Sequence, residues 1–354
     1  MHKVQCQNLL LGDIIVKMPN KFTKILVVAV MASFGVAVLP IVSFAQININ
    51  VPFALTNELG VEIIPTYPRP NEPVFINLTL YTDDLNSADI FWYKDGKNVL
   101  SGKGEIRYSF NAGAVGEETK IEIRINLLSG ASFSKAFTLN PASIDLVWEA
   151  SSYVPPFYRG KALHPRQGVL KIVALPEFVK NGQRISPANL IYNWSNDVEA
   201  YQSQSGYGKN VLVLDGSILG RSESVEVLAT DPVNNLVAQS FIDISPTDPQ
   251  IIFYENNPYY GPLFDSAIIG SFDLKTDEVQ ILAAPYYFTK ESGGLLKYEW
   301  RLNGASVSNL LGSRTAIFRK PEGESGRSSV SLQVENTNRI LQQADDNLQI
   351  IFKN

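Results

Sequence analysis

Ile90-Phe91-Trp92-Tyr93-Lys94-Asp95-Gly96-Lys97 decides the reading of this chain, because its tryptophan-centred triplet returns twice, as Tyr192-Asn193-Trp194 and Tyr298-Glu299-Trp300. Intervals of 102 and 106 residues separate the three tryptophans, a period that marks an array of like modules. Each triplet follows an apolar, strand-like run (residues 74–81, 169–175 and 279–284) and precedes a glycine-containing turn. Beyond each comes strict alternation, at residues 120–125, 224–228 and 329–334. A period of two makes these strands with one buried face. The second and third units also open alike. Residues 144–148 lead to Val154-Pro155-Pro156-Phe157-Tyr158, and residues 251–254 lead to Asn257-Pro258-Tyr259-Tyr260-Gly261-Pro262, with Trp148 and Phe253 in corresponding places. No long helical stripe intervenes, and residues 340–345 read as a turn before a last strand at 348–352.

Ahead of the repeats, Lys17, Lys21 and Lys24 precede an apolar run at residues 25–42, which ends in Ser43-Phe44-Ala45-Gln46. A basic start, an apolar run and small residues at the exit, in that order, predict a secretory signal over residues 1–45 with cleavage after Ala45. The alternative is an uncleaved membrane anchor through residues 25–42, since this run approaches the roughly 20 residues that cross a bilayer. Met18 opens a compact basic start, so residues 1–17 read as an upstream extension. The expected location is therefore outside the cytoplasmic membrane: the cell surface, the periplasm or envelope, or the medium. Cleavage removes Cys6 and His2 and leaves 26 basic against 34 acidic side chains, no cysteine, and His164 as the only histidine. Such a chain has no disulfides and folds on hydrophobic cores alone, a profile that fits a bacterial envelope protein better than an animal ectodomain. The whole chain, at 354 residues, 45% hydrophobic, 18% charged and with a net charge of -5, is too apolar for disorder and too acidic for a nucleic-acid binder. No cofactor is expected, and two histidines with one cysteine exclude a conventional zinc finger.

The 309 residues after Ala45 divide into three modules of about 103, close to the roughly 100 of a two-sheet sandwich. Boundaries are expected at Asn140-Pro141 and Ser245-Pro246, giving modules at 46–140, 141–245 and 246–354. The fold class is all-β, three tandem β-sandwiches after an N-terminal signal helix. Residues 90–97 resemble the third strand and following turn of an immunoglobulin-like domain, in which tryptophan fills the space between the sheets and Asp-Gly closes a hairpin. Tyr192-Asn193-Trp194 and Tyr298-Glu299-Trp300 are similar to the Tyr-x-Trp of polycystic-kidney-disease-type repeats of bacterial surface proteins, although Ser195-Asn196-Asp197 and Arg301-Leu302-Asn303-Gly304 replace that family's Gly-Asp-Gly. The resemblance covers residues 46–354 as architecture and implies no catalytic residue.

Trp92, Trp194 and Trp300 are expected in three equivalent cores, each module unfolding on its own. The aromatic-proline clusters at residues 153–158, 258–264 and 285–288 admit two readings. Either they pack where modules meet, or Tyr259, Tyr260, Tyr286, Tyr287 and Phe288 form an exposed patch for a partner, as rigid aromatic area with a polar end does well. The acidic groups Asp83-Asp84 with Asp89, Glu117-Glu118 and Asp345-Asp346 match no recognised calcium loop and read as solvated turns. His164 alone makes no hydrolase, and no metal ligand is expected. The function class is thus a non-catalytic structural or adhesive stalk, its short connections setting the modules in a row. The alternative is a module for a glycan or cell-wall polymer. A surface protein or polysaccharide is the expected partner in either case.

Overall fold

The computed structural model describes residues 58–216, 221–290 and 296–353. The signal expected over residues 1–45, its alternative reading as a membrane span at 25–42, His2 and Cys6 all lie outside the described residues. Among those residues the regular structure consists of strands and three-residue 3-10 turns. No helix among them is long and apolar enough to cross a membrane.

The same strand order is built three times. In the first sandwich Lys97–Lys103, Asp89–Lys94, Thr119–Asn126 and Ser132–Leu139 form one sheet, faced by Gly60–Ile64, Pro73–Thr79 and Arg107–Asn111. In the second, Ile191–Ser195 lies beside Glu223–Asp231 and then Leu236–Ile244, opposite a sheet of Val211–Asp215, Val169–Glu177 and Ser143–Ala150. In the third, Leu296–Leu302, Gly326–Asn336 and Gln343–Phe352 follow one another, opposite Gln250–Asn257, Glu278–Tyr286 and Thr315–Arg319. The third sandwich adds Gly261–Ile268 beside Gln250–Asn257 and Ser271–Leu274 parallel to Gln343–Phe352, the rest of its strand pairing being antiparallel. Two sheets in this repeated order are an immunoglobulin-like sandwich, so the described residues form tandem immunoglobulin-like β-sandwiches. The alternation in sequence becomes alternation in burial: Thr119–Asn126 buries every second residue, among them Ile121, Ile123 and Ile125. Three cores result, drawn from residues 59–139, 142–244 and 251–352.

Each core is centred on its tryptophan by one repeated bond. The indole N–H of Trp92 donates to the Glu105 carbonyl at 2.8 Å, that of Trp194 to Lys209 at 2.9 Å, and that of Trp300 to Ser313 at 2.8 Å. In all three the acceptor sits just ahead of the strand that closes the opposite sheet, at Arg107, Val211 and Thr315. The indole therefore ties the two sheets together while satisfying its only polar group. The Asp-Gly hairpin closes as the sequence implies: Asp95 and Gly96 have φ of 50° and 76°, and positive φ at both central residues is the type I′ turn suited to twisted strands.

Three details differ from the sequence reading. Counted from the carbonyl that receives the indole bond, Phe253 opposite Ala283 stands where Leu146 stands opposite Ala174. Trp148 lies two residues further along, half-buried, with the Lys161 ammonium 3.2 Å from its ring centroid. A tryptophan and a phenylalanine matched by residue interval alone thus sit at different levels of the sandwich. The last strand runs over Gln343–Phe352 rather than starting at 348, because Gln343 onward pairs with Gly326–Asn336. Third, the stretch after Ser143–Ala150 does not stay with its own sandwich.

Candidate functional site

Residues 151–168 connect Ser143–Ala150 to Val169–Glu177, yet they bond to the third sandwich. The Tyr153 N–H donates to the Phe288 carbonyl at 2.7 Å, Tyr287 N–H to the Tyr153 carbonyl at 2.8 Å, and Lys290 N–H to the Ser151 carbonyl at 2.9 Å. Ser152 and Thr289 form an antiparallel bridge. The connection makes a single antiparallel bridge to its neighbour, and Pro155-Pro156 keep the pairing from running on because proline cannot donate to a ladder. Behind it lies a fourth apolar cluster of Tyr254, Ala284, Tyr286 and Tyr287, closed over by Tyr153, Val154, Leu163 and Phe264. Its hydroxyls satisfy one another: Tyr254 and Tyr286 meet at 2.7 Å, Tyr158 and Tyr287 at 2.8 Å. Burial makes a phenolate costly here, and it pushes the Tyr287 phenol up to about 12. Tyr286 rises further for the same first reason, with its bond to Tyr254 adding to the shift. Tyr287 carries a left-handed φ of 61°, a strain that its bonds to Tyr153 and Tyr158 hold in place.

The far end of the connection is held as firmly. Thr247 N–H donates to the His164 carbonyl at 2.7 Å, and Arg166 pairs with Asp248 at 2.6 Å. Gln342, 1% exposed, accepts from Thr289 N–H at 2.9 Å and donates to the carbonyl of Arg166 at 2.7 Å. Leu341 N–H donates to the Gln167 side chain at 2.9 Å, and Arg339 pairs with Asp215 at 2.8 Å. His164 is buried, and loss of hydration holds its imidazole below the ordinary 6.5, with the Glu223 carboxylate opposing. The first and second sandwiches also touch. Arg69 donates to the Ile144 carbonyl at 2.8 Å, Gly116 N–H to the Pro141 carbonyl at 3.2 Å, and Lys180 pairs with Glu118.

The sequence-predicted aromatics therefore divide. Trp92, Trp194 and Trp300 are 0%, 0% and 1% exposed, inside the cores. Tyr286, Tyr287 and Phe288, at 5%, 8% and 0%, are buried and offer no exposed patch. That is a correction to their reading as partner anchors: the 151–168 connection lies over Tyr286 and Tyr287, while Phe288 belongs to the core of the third sandwich. Tyr259 and Tyr260 are 89% and 83% exposed, at the tip of the hairpin between Gln250–Asn257 and Gly261–Ile268. The Asn257 side-chain oxygen holds this tip by accepting from both tyrosine amides, at 3.0 and 3.3 Å. Beside the tip lies a groove of about 570 Å³. Phe157, in the 153–158 cluster but not among the expected partner residues, is 95% exposed with a φ of 64°. Gln342 and Arg339 were missed as well, since nothing local distinguishes a buried junction amide from a surface one.

Turns and one ion pair take up Asp83, Asp84, Glu117 and Glu118. Asp84 accepts from the Asn86 amide, which lowers its pKa. Glu117 accepts from Ala114 N–H at 2.9 Å, and Glu118 is lowered chiefly by its hydrogen bond to Lys180. Asp346 is raised by burial. No cluster of three metal-ligating side chains occurs among the described residues.

No family model and no curated protein matches the chain. Among solved structures it is similar to the three N-terminal domains of the highly immunogenic outer capsid protein of bacteriophage RB49, at 9% identity over 83% of this chain and 98% of that one, with a TM-score of 0.26. It is also similar to the central fibronectin-III array of RIM-binding protein, at 14% identity over 84% and 96% with a TM-score of 0.27. For immunoglobulin domains 1–5 of Sidekick-1 the values are 9%, 84%, 60% and 0.29.

Proposed function

We propose that this chain is a non-catalytic exported protein, a structural or adhesive stalk component of a bacterial surface or envelope, with module limits at 46–140, 141–245 and 246–354. One observation carries the reading: the connection at residues 151–168 is fastened along the neighbouring sandwich by backbone pairing and by an aromatic cluster of its own. Two modules fixed to each other by main-chain bonds suit a part that bears or transmits force between other components. The same junction takes up His164, buried and anchored through its carbonyl. The test is fractionation of producing cells with an antibody, followed by mass spectrometry of the N-terminus. The expected result is protein outside the cytoplasmic membrane that begins at Gln46. Intact protein confined to the cytoplasm overturns the reading.

A second reading, a binding module for a glycan or cell-wall polymer, is favoured by a different observation. Tyr259 and Tyr260 stand exposed on one hairpin tip, and adjacent exposed aromatics on a held turn are ready contacts for a partner.

A further inference from the structure

The groove in the third sandwich is lined by the hairpin that carries Tyr259, by Asn256, Gln280 and Ile317 of the Gln250–Asn257, Glu278–Tyr286 and Thr315–Arg319 sheet, and by Phe272 and Asp273 of Ser271–Leu274 in the opposite sheet. At about 570 Å³ it falls within the roughly 300–1,000 Å³ of ordinary ligand sites. Asn256 and Gln280 lie on neighbouring strands, and the Asn256 amide donates to the Gln280 oxygen at 2.8 Å. That bond fixes both amides and leaves the Asn256 oxygen as an acceptor and the Gln280 nitrogen as a donor. Ile317, opposite Gln280 across the ladder and 53% exposed, adds an apolar floor. Glu255, Asp273 and Glu278 share the lining with a single lysine, Lys275.

These features select by chemistry. A phosphate or other polyanion meets more carboxylate than ammonium here and is disfavoured. A metal ion needs a cluster of ligands that the described residues do not form. A sugar ring has an apolar C–H face and a rim of hydroxyls that both donate and accept. Tyr259 offers the apolar surface, the amide pair offers one donor and one acceptor, and the carboxylates accept further hydroxyl protons. We propose that this groove binds an uncharged polysaccharide chain, with Tyr259 as the stacking platform and Asn256 and Gln280 as the hydroxyl-reading pair. The proposal rests on the binding-module reading and names its ligand class.

Native affinity electrophoresis of the full chain tests it, in gels containing soluble β-glucan, galactomannan, xylan, glycogen or polygalacturonate. Retardation is expected in at least one of the four neutral polymers and not in polygalacturonate. Tyr259→Ala and Gln280→Ala are each expected to weaken retardation about tenfold or more. Tyr207→Ala, exposed on the second sandwich, is the control expected to migrate as the unchanged protein does. Circular dichroism and a melting curve on each variant separate lost binding from lost folding. Retardation that survives Tyr259→Ala at full strength overturns the groove and leaves the binding-module reading standing, and so does retention by polygalacturonate alone. No retardation in any of the five polymers overturns both, and the structural reading is unaffected.

Discussion

Each core tryptophan fills the space between two sheets and ties them through its indole N–H, so one substitution removes both a large apolar volume and an inter-sheet bond. Trp92→Ala, Trp194→Ala and Trp300→Ala are each expected to cost about 3–5 kcal/mol, measured by denaturant unfolding. His164 calls for a different measurement. Its folded pKa lies below 6.5 and its unfolded value near 6.5, so the unfolded chain takes up the proton first as the pH falls. The contribution to stability is therefore nil above about pH 6.5 and turns increasingly unfavourable below it, until the folded pKa is reached. Melting temperatures between about pH 8 and pH 5 should fall more steeply for the unchanged chain than for His164→Gln. Equal slopes refute the assignment.

Among the elements, the 151–168 connection has the strongest consequences. Gln342 serves as its clasp, since removing that side chain leaves the buried Thr289 N–H and the Arg166 carbonyl without their bonds. Gln342→Ala is expected to cost about 1–3 kcal/mol by the same unfolding measurement, more than a surface glutamine does. The tyrosines give a second handle. Tyr287 titrates near 12 in the folded chain against an ordinary 10.0, so the junction's contribution is complete below pH 10 and is lost as the pH rises towards 12. Phenolate absorbance should show several late-titrating tyrosines, Tyr192 and Tyr298 among them, and one fewer in Tyr287→Phe.

For the molecule as a whole, the junctions bear on cooperativity. The sequence suggested modules that unfold independently, as short connections and modest interfaces usually allow. Main-chain pairing between residues 151–153 and 287–290 couples the second sandwich to the third. In calorimetry, Trp300→Ala is expected to lower the transitions of both, whereas Trp92→Ala mainly lowers that of the first. Three transitions, each moved only by its own tryptophan, would contradict the coupling.

What the sequence by itself determined was whatever depends on local periodicity: the alternating strands, the Asp95-Gly96 turn and the tryptophan at the centre of each repeat. Burial on one face of a pleated strand writes a period of two into the chain, and a turn with positive φ demands its residue types. Only the tertiary structure decided which aromatics face water. Tyr259-Tyr260 and Tyr286-Tyr287 are alike in composition, yet one pair caps a hairpin and the other lies beneath a connection from the preceding sandwich. That difference depends on where an 18-residue segment crosses to a neighbour, from Ser151 to Gly168. Contacts across more than 100 residues, such as Tyr153 with Phe288, follow from packing and leave no periodic mark in either partner.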